Sequence, residues 1–184
     1  EQIEIKYNEK LRVIVLRKVG IENMCNLFRD LNTSTELNGQ EWRQARWSFT
    51  SQFIRDISNG ECREMFKRFI FNKEVDMDKR FHEEVVAQLA YKVYKKYIGS
   101  ILSSELDLLY EENFDLPQNV KDKVANILEN TKLMSEKTGP LQRKLTKGRL
   151  HVLFDLIEIT TNKHCLSIKD HEAFFNWFLD KDAD

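Results

Sequence analysis

Few residues in this sequence combine a reactive side chain with a spacing that supports chemistry. His164 and Cys165 are the one place where two soft metal ligands adjoin. A structural zinc ion needs four ligands in tetrahedral geometry, and no second pair lies near them. Adjacent acids such as Glu83 and Glu84 point in different directions on a helix, so we expect them to be solvated surface residues. We therefore expect no metal at His164 and Cys165 and no general acid and base among the paired carboxylates.

The short motifs that mark reaction types are also absent. The sequence contains no Gly-rich phosphate loop, no His-Glu-x-x-His, no Cys-x-x-Cys and no Gly-x-Ser-x-Gly turn. We predict from this that the protein is not an enzyme and uses no cofactor. An enzyme built on carboxylates outside these motifs would need a deep polar cleft in the structure.

The last five residues carry the most suggestive spacing. Asp180, Asp182 and Asp184 stand in the one-three-five pattern that opens an EF-hand calcium loop. Such a loop also needs a glycine at its sixth position and a bidentate glutamate at its twelfth, and the sequence ends before either. We interpret the three aspartates as the truncated start of a calcium-binding loop in a longer parent protein, or as charged residues that end a helix.

Composition restricts the partners and the compartment. The chain has 29 basic and 30 acidic side chains, a formal net charge of -1, so it presents no broad positive field to nucleic acid or to an anionic membrane. The odd set Cys25, Cys62 and Cys165 suits neither a disulfide framework nor a zinc site, which indicates a reducing compartment, cytoplasmic or nuclear. No apolar run has the length of a membrane span. Because the first residue is not Met, we expect a domain of a larger intracellular protein.

The elements that position these residues are helical, and they are organised around the stretch from Lys79 to Leu109. Apolar residues there form two adjacent rows at four-residue spacing, which predicts one amphipathic helix of about seven turns at the centre of the fold. The rows are Val85, Leu89, Val93, Tyr97 and Ile101, and Val86, Ala90, Tyr94, Ile98 and Leu102; Glu83, Gln88, Lys92, Lys95, Lys96 and Ser103 fall on the polar side.

The segments on either side also keep helical spacing. Val120, Val124, Ile127 and Leu128 define one buried face, and Leu150–Ile159 is apolar on nearly every side, which predicts a helix buried by neighbours all round. The first 20 residues are ambiguous between a helix and a short hairpin. We predict an all-α single domain of seven to nine helices over residues 1–184. Its parts are an N-terminal helical extension (1–40), the main helical core (41–179) and the start of a following calcium-binding loop (180–184).

Four fragments follow one another in a characteristic order: SQFIRDISNGECREMFKRFI, AQLAYKVYKKYIGSILSSELDL, PQNVKDKVANILEN and HVLFDLIEITTNKHCLSIKDHEAFFNWFL. This order resembles that of the regulator-of-G-protein-signalling (RGS) domain, an all-helical interaction module. The resemblance covers about two-thirds of the chain. It implies that Phe66, Phe69, Tyr94, Tyr97, Phe154 and Phe178 are core residues.

Two motifs of that family are missing. Its Glu-Asn-x-x-Phe-Trp segment is replaced by FNKEVDMDKRFHEEVVA, and its Ala-Gln after Leu-Phe-Asp is replaced by Leu156 and Ile157. The residues that contact a G-protein α subunit lie largely in those motifs. No contact residue of the family is therefore assigned to this chain.

The end of the chain is the predicted partner-binding site. Aromatic residues from Phe174 to Phe178 spread over more than one helix face, so a core can hardly cover all of them, and exposed aromatic residues are the usual anchors of interfaces. The basic loop Lys137–Arg149 would form the outer rim and orient an acidic partner. The predicted site residues are Phe174, Phe175, Trp177, Phe178, Lys144, Lys147 and Arg149.

These features together predict a non-catalytic protein-interaction or scaffold module whose partner is another protein, and the RGS resemblance implies a role in the regulation of signalling. One alternative is a carrier of lipid or of a small hydrophobic ligand, in which the aromatic residues line a cavity. Another is a helical domain that adjoins an EF-hand calcium-sensing region.

Overall fold

The computed structural model describes residues 38–69, 80–97, 101–111, 114–137 and 145–162. It also describes Gly20, Asn23, Met24, Leu27, Asp30, Gly99, Ala173 and Phe178. Within this part of the chain every regular element is helical, which confirms the predicted all-α bundle. The elements are α1 (Gly39–Gln44), α2 (Phe49–Asn59), α3 (Arg63–Phe69), α4 (Phe81–Lys95), α5 (Ser103–Asp107), a 3-10 helix (Leu108–Tyr110), α6 (Gln118–Lys137) and α7 (Lys147–Asn162).

Several predictions concern residues outside this description. They include the helix or hairpin of residues 1–19 and the terminal aspartates. None of the described helices is both long and apolar enough to cross a membrane.

The first two helices begin at side-chain caps that the sequence encodes. The Asn38 side chain accepts the amides of Gln40 and Glu41, and the Glu41 carboxylate accepts the Asn38 amide at 2.8 Å. The pair Ser48 and Ser51 forms the same reciprocal arrangement before α2. Because such boxes satisfy amides that would otherwise lack partners, they define where each helix starts.

Helix α4 is the centre of the bundle, as predicted, and more of it is buried than its polar residues indicate. It packs against α1, α2, α5, α6 and α7, and its apolar residues from Val85 to Ala90 are fully buried. Glu83 was expected on a solvated side and is fully buried instead. Its Oε1 atom accepts hydrogen bonds from Asn59 Nδ2 at 2.7 Å and from the Arg80 guanidinium at 3.0 Å, which offset the cost of burying the charge.

The predicted seven-turn helix is wrong, because the chain leaves the helix after Lys95. Lys96 adopts the left-handed conformation, with φ at 52°, and the Tyr97 amide donates to the Lys92 carbonyl at 3.1 Å. This is the hydrogen bond of a Schellman-type helix end. Gly99 then has φ at 152°, and a Cβ atom there would lie 3.1 Å from the Tyr97 hydroxyl. The apolar residues keep their four-residue spacing after the helix has ended, so the spacing alone does not show where the helix stops.

The prediction that α7 is buried all round is also wrong. Leu150, Leu153, Phe154 and Ile157 point into the core, whereas the side chains of Val152 and Ile159 are 48% and 50% exposed. Helix α7 therefore covers the bundle with one face and presents apolar residues to solvent on the other.

The core expected from the RGS resemblance is found in part. Phe66, Phe69 and Phe154 are fully buried, and Phe178 is buried against the core. Tyr94 is half-buried. Tyr97 is 41% exposed, so the expectation that it belongs to the core is wrong.

Candidate partner-binding groove

The predicted site residues that the structure describes make contacts within the protein. The Arg149 guanidinium donates to the Phe178 carbonyl oxygen at 3.1 Å and lies 5.1 Å from the centre of its ring. One residue of the predicted basic rim, Arg149, therefore contacts one residue of the predicted aromatic site, Phe178, whose ring is buried against the core. Lys147 pairs with Glu84 at 2.7 Å and lies over the Phe81 ring.

The remaining predicted site residues lie outside the described part of the chain. They are Phe174, Phe175, Trp177 and Lys144, together with the aspartates of the truncated calcium loop, Asp180, Asp182 and Asp184. Within the described part, no cluster of His, Cys, Asp and Glu side chains could hold a metal ion.

Two buried histidines are structural. His151 Nε2 lies 2.7 Å from Gln88 Oε1, and His82 Nε2 lies 2.9 Å from Asn59 Oδ1. Burial lowers the pKa of each imidazole to about 4; Lys92 and Lys147 add to this effect at His151, as do Arg63 and Arg80 at His82. Both rings are neutral at pH 7, and they are hydrogen-bonded to amides inside the bundle.

Three polar pairs join α4 to α7 along their whole contact. Glu84 pairs with Lys147 at 2.7 Å, Gln88 with His151 at 2.7 Å, and Lys92 with Asp155 at 3.4 Å. Each step advances four residues on both helices, so the two helices run in the same direction. The next residues in these rows are Lys96 and Ile159.

A groove opens where the polar pairs end, between α4, α6 and α7; we call it the α4–α6–α7 groove. Its volume is about 560 Å³, within the range of ligand sites. Apolar residues from all three helices form its floor, and the exposed residues Tyr97 and Ile159 form its edge. The lining residues are Leu89, Lys92, Val93, Lys96, Tyr97, Asn119, Val120, Lys123, Asp155, Glu158 and Ile159.

The charges along the groove are incompletely balanced. Lys92 pairs with Asp155, and Lys123 pairs with Glu158. Lys96 has no carboxylate partner among the residues that the structure describes. The groove therefore combines an apolar floor with one uncompensated positive charge.

Tyr97 lies at the edge of this groove and next to Gly99. The Tyr97 ring approaches the Gly99 backbone so closely that a side chain at position 99 would contact its hydroxyl and ring carbons at 3.1 to 3.2 Å. Contacts this short leave no room for a side chain unless the ring moves. A residue without a side chain at position 99 thus leaves the space that the Tyr97 ring occupies.

No protein-family model, curated protein or solved structure matches this chain. Its function must be argued from the groove itself. The lining contains no His, Cys, Ser or Thr side chain, and both of its carboxylates are paired with lysines.

A second depression lies between α3 and α6, and it is less suited to a partner. Its volume is also about 560 Å³, but its lining is mostly charged. Lys132 pairs with Glu61 at 2.8 Å, and Lys67 pairs with Glu64 at 2.9 Å. A partner would have to displace these contacts for little apolar burial in return.

Sequence reasoning missed the groove, although a signal for it was present. Glu84, Gln88 and Lys92 recur at four-residue spacing, and so do Lys147, His151 and Asp155. Complementary rows of this kind predict two helices side by side in parallel. Reading both rows one step further would have indicated Lys96 and Ile159 as neighbours at the end of the contact.

Proposed function

We propose that this protein is a non-catalytic protein-interaction module, and that the α4–α6–α7 groove receives an apolar segment of a partner protein. The observation that carries the proposal is the apolar floor bordered by the half-exposed side chains of Tyr97 and Ile159. Burying such residues in a partner interface removes apolar area from water, and tyrosine is a frequent interface anchor.

The openness of the groove favours a protein segment over a carried lipid. A carrier encloses most of its ligand, typically about 70–90% of the ligand surface. Here the side chains of Tyr97 and Ile159 at the edge of the groove are exposed, so one side of the groove is open to solvent. The RGS-like order of fragments adds support, because that family is an all-helical interaction module; regulation of signalling of the RGS kind remains part of the proposal.

Helix α7 offers a matched pair of variants to test it. Ile159 lines the groove, whereas Val152 lies two turns earlier on the same side of the helix, is equally exposed and is not among the lining residues. Tagged Ile159→Asp and Val152→Asp proteins should be compared with wild type by affinity capture and quantitative mass spectrometry. We expect a partner that Val152→Asp retains and Ile159→Asp loses, with affinity reduced about 30-fold, the equivalent of roughly 2 kcal/mol.

Equal capture by all three proteins would contradict the groove as the partner site. Native mass spectrometry of the same samples tests the carrier alternative. A lipid that co-purifies with wild type and with Val152→Asp, but not with Ile159→Asp, would establish the groove as a ligand site instead.

A further inference from the structure

We infer that the segment held in the α4–α6–α7 groove is an acidic amphipathic helix, with a carboxylate placed against Lys96. The inference rests on the proposed function and specifies the chemistry of the partner. Three features of the groove support it: the residue that follows the last polar pair, the local charge, and the backbone conformation of Lys96.

The row of polar pairs between α4 and α7 ends with Lys92 and Asp155, before the groove. Glu84, Gln88 and Lys92 each meet a polar partner on α7, whereas Lys96, the next residue in this spacing, lines the groove together with the apolar Ile159 and has no carboxylate partner in the described part of the chain. A carboxylate brought by a partner would supply the missing acceptor. It would also lie beside the apolar floor, where exclusion of water strengthens an ion pair.

The local charge favours the same partner. Besides Lys96, the exposed Lys95 at the end of α4 contacts only the Tyr94 ring, at 4.8 Å, and has no carboxylate partner in the described ranges. The lysines at this end of the bundle thus exceed the carboxylates paired with them, although the whole chain is slightly negative. An acidic segment would be steered towards this positive end, and a basic one would be repelled.

The conformation of Lys96 is the third feature. Glycine or asparagine usually occupies the left-handed position that ends a helix, because a larger side chain is strained there. This chain has a lysine there, with φ at 52°, and its side chain lines the groove. Strained residues cluster at binding sites, where the side chain has a use that offsets the strain.

The walls of the groove favour a helix as the shape of the acidic segment. Helices α4 and α7 run in the same direction and present residues at four-residue spacing, which leaves ridges that a third helix can pack between. An amphipathic helix would place side chains at positions i, i+4 and i+7 on the floor near Leu89, Val93 and Val120. Its acidic residues would then lie at the edge, near Lys95 and Lys96.

Peptide selection tests the inference directly. A phage-displayed random library of peptides about 16 residues long, roughly four helical turns, is depleted on Ile159→Asp protein and then selected on wild type. We expect the enriched peptides to carry apolar residues at helical spacing and an excess of Asp and Glu. Selection on a Lys95→Glu/Lys96→Glu protein should favour Lys and Arg instead, whereas Lys67→Glu, a charge reversal on α3 outside the groove, should leave the acidic preference unchanged.

A selected peptide then tests the specific contact by fluorescence anisotropy. One Glu of the peptide is expected to pair with Lys96. Replacing this Glu by Gln should weaken binding to the wild-type protein about tenfold, but should change binding to the Lys96→Gln protein very little. Circular dichroism and the thermal midpoint confirm that each variant is folded; Lys96 is exposed, so its substitution is compatible with folding.

The outcomes separate the two proposals. Groove-dependent peptides without an acidic excess, or an equal loss on wild type and on Lys96→Gln, would overturn the acidic partner while leaving the docking groove intact. If depletion on the Ile159→Asp protein removes every peptide that binds wild type, the groove itself would be overturned.

Discussion

Acid should destabilise this protein between about pH 6.5 and pH 5 because of its buried histidines. In the unfolded chain an imidazole has a pKa near 6.5, whereas burial holds the pKa of His151 at about 4 in the folded state. The unfolded state therefore binds more protons in this interval, and the free energy of unfolding falls as the pH falls. Integrated from pH 6.5 to pH 5, the loss is about 1.5 kcal/mol for His151 and a similar amount for His82, whose pKa is also about 4. Carboxylates contribute mainly at lower pH.

Urea denaturation at several pH values measures this loss, with His151→Gln as the control. The variant lacks the titrating ring but keeps a side-chain amide that can hydrogen-bond Gln88, the partner of His151 at 2.7 Å. It should be less stable than wild type at pH 7, because it loses the ring packed edge-to-face on Phe154. Its stability should nevertheless decline less, by about 1.5 kcal/mol, between pH 6.5 and pH 5. Parallel curves for wild type and variant would show that His151 does not titrate differently on folding.

Four substitutions test the packing around the groove by chemical denaturation. Ile157→Ala should cost about 3 kcal/mol because the side chain is buried, whereas Ile159→Ala should cost less than about 1 kcal/mol; equal losses would refute the outward orientation of Ile159. Lys96→Gly should raise stability by about 1 kcal/mol, since glycine adopts the left-handed conformation without strain, and a loss of stability would contradict this. Gly99→Ala should lower stability by about 1–3 kcal/mol because of its positive φ and the nearby Tyr97 ring, and an unchanged midpoint would argue against that contact.

Hydrophobic periodicity correctly predicts those helices that are covered by neighbours on one side only. The expected buried face of α6, formed by Val120, Val124, Ile127 and Leu128, is buried in the structure. Such a helix lies on the surface of the bundle, so its polar and apolar residues separate according to exposure. The all-α class follows from the same pattern repeated along the chain.

Periodicity does not show how many neighbours a helix has, and this explains the errors at the centre. The polar residues of α4 indicated a solvated side, but Glu83 is buried because Asn59 and Arg80 hydrogen-bond its carboxylate. The apolar residues of α7 indicated burial on every side, but Val152 and Ile159 remain exposed. Both errors arise because partners distant in sequence decide whether a polar or an apolar residue is tolerated at a position.

The third error, the overlong central helix, coincides with the candidate site. Tyr97 and Ile101 keep the apolar spacing of α4, yet the helix has already ended at Lys96 in a conformation that lysine adopts only at a cost in stability. The polar pairing of α4 with α7 stops at the same residue, next to the exposed Ile159. A glycine at 96 would relieve the strain of the left-handed conformation, and a polar residue at 159 would expose less apolar surface. The partner that we propose would cover Ile159 and supply an acceptor to Lys96, so that one contact would satisfy both residues.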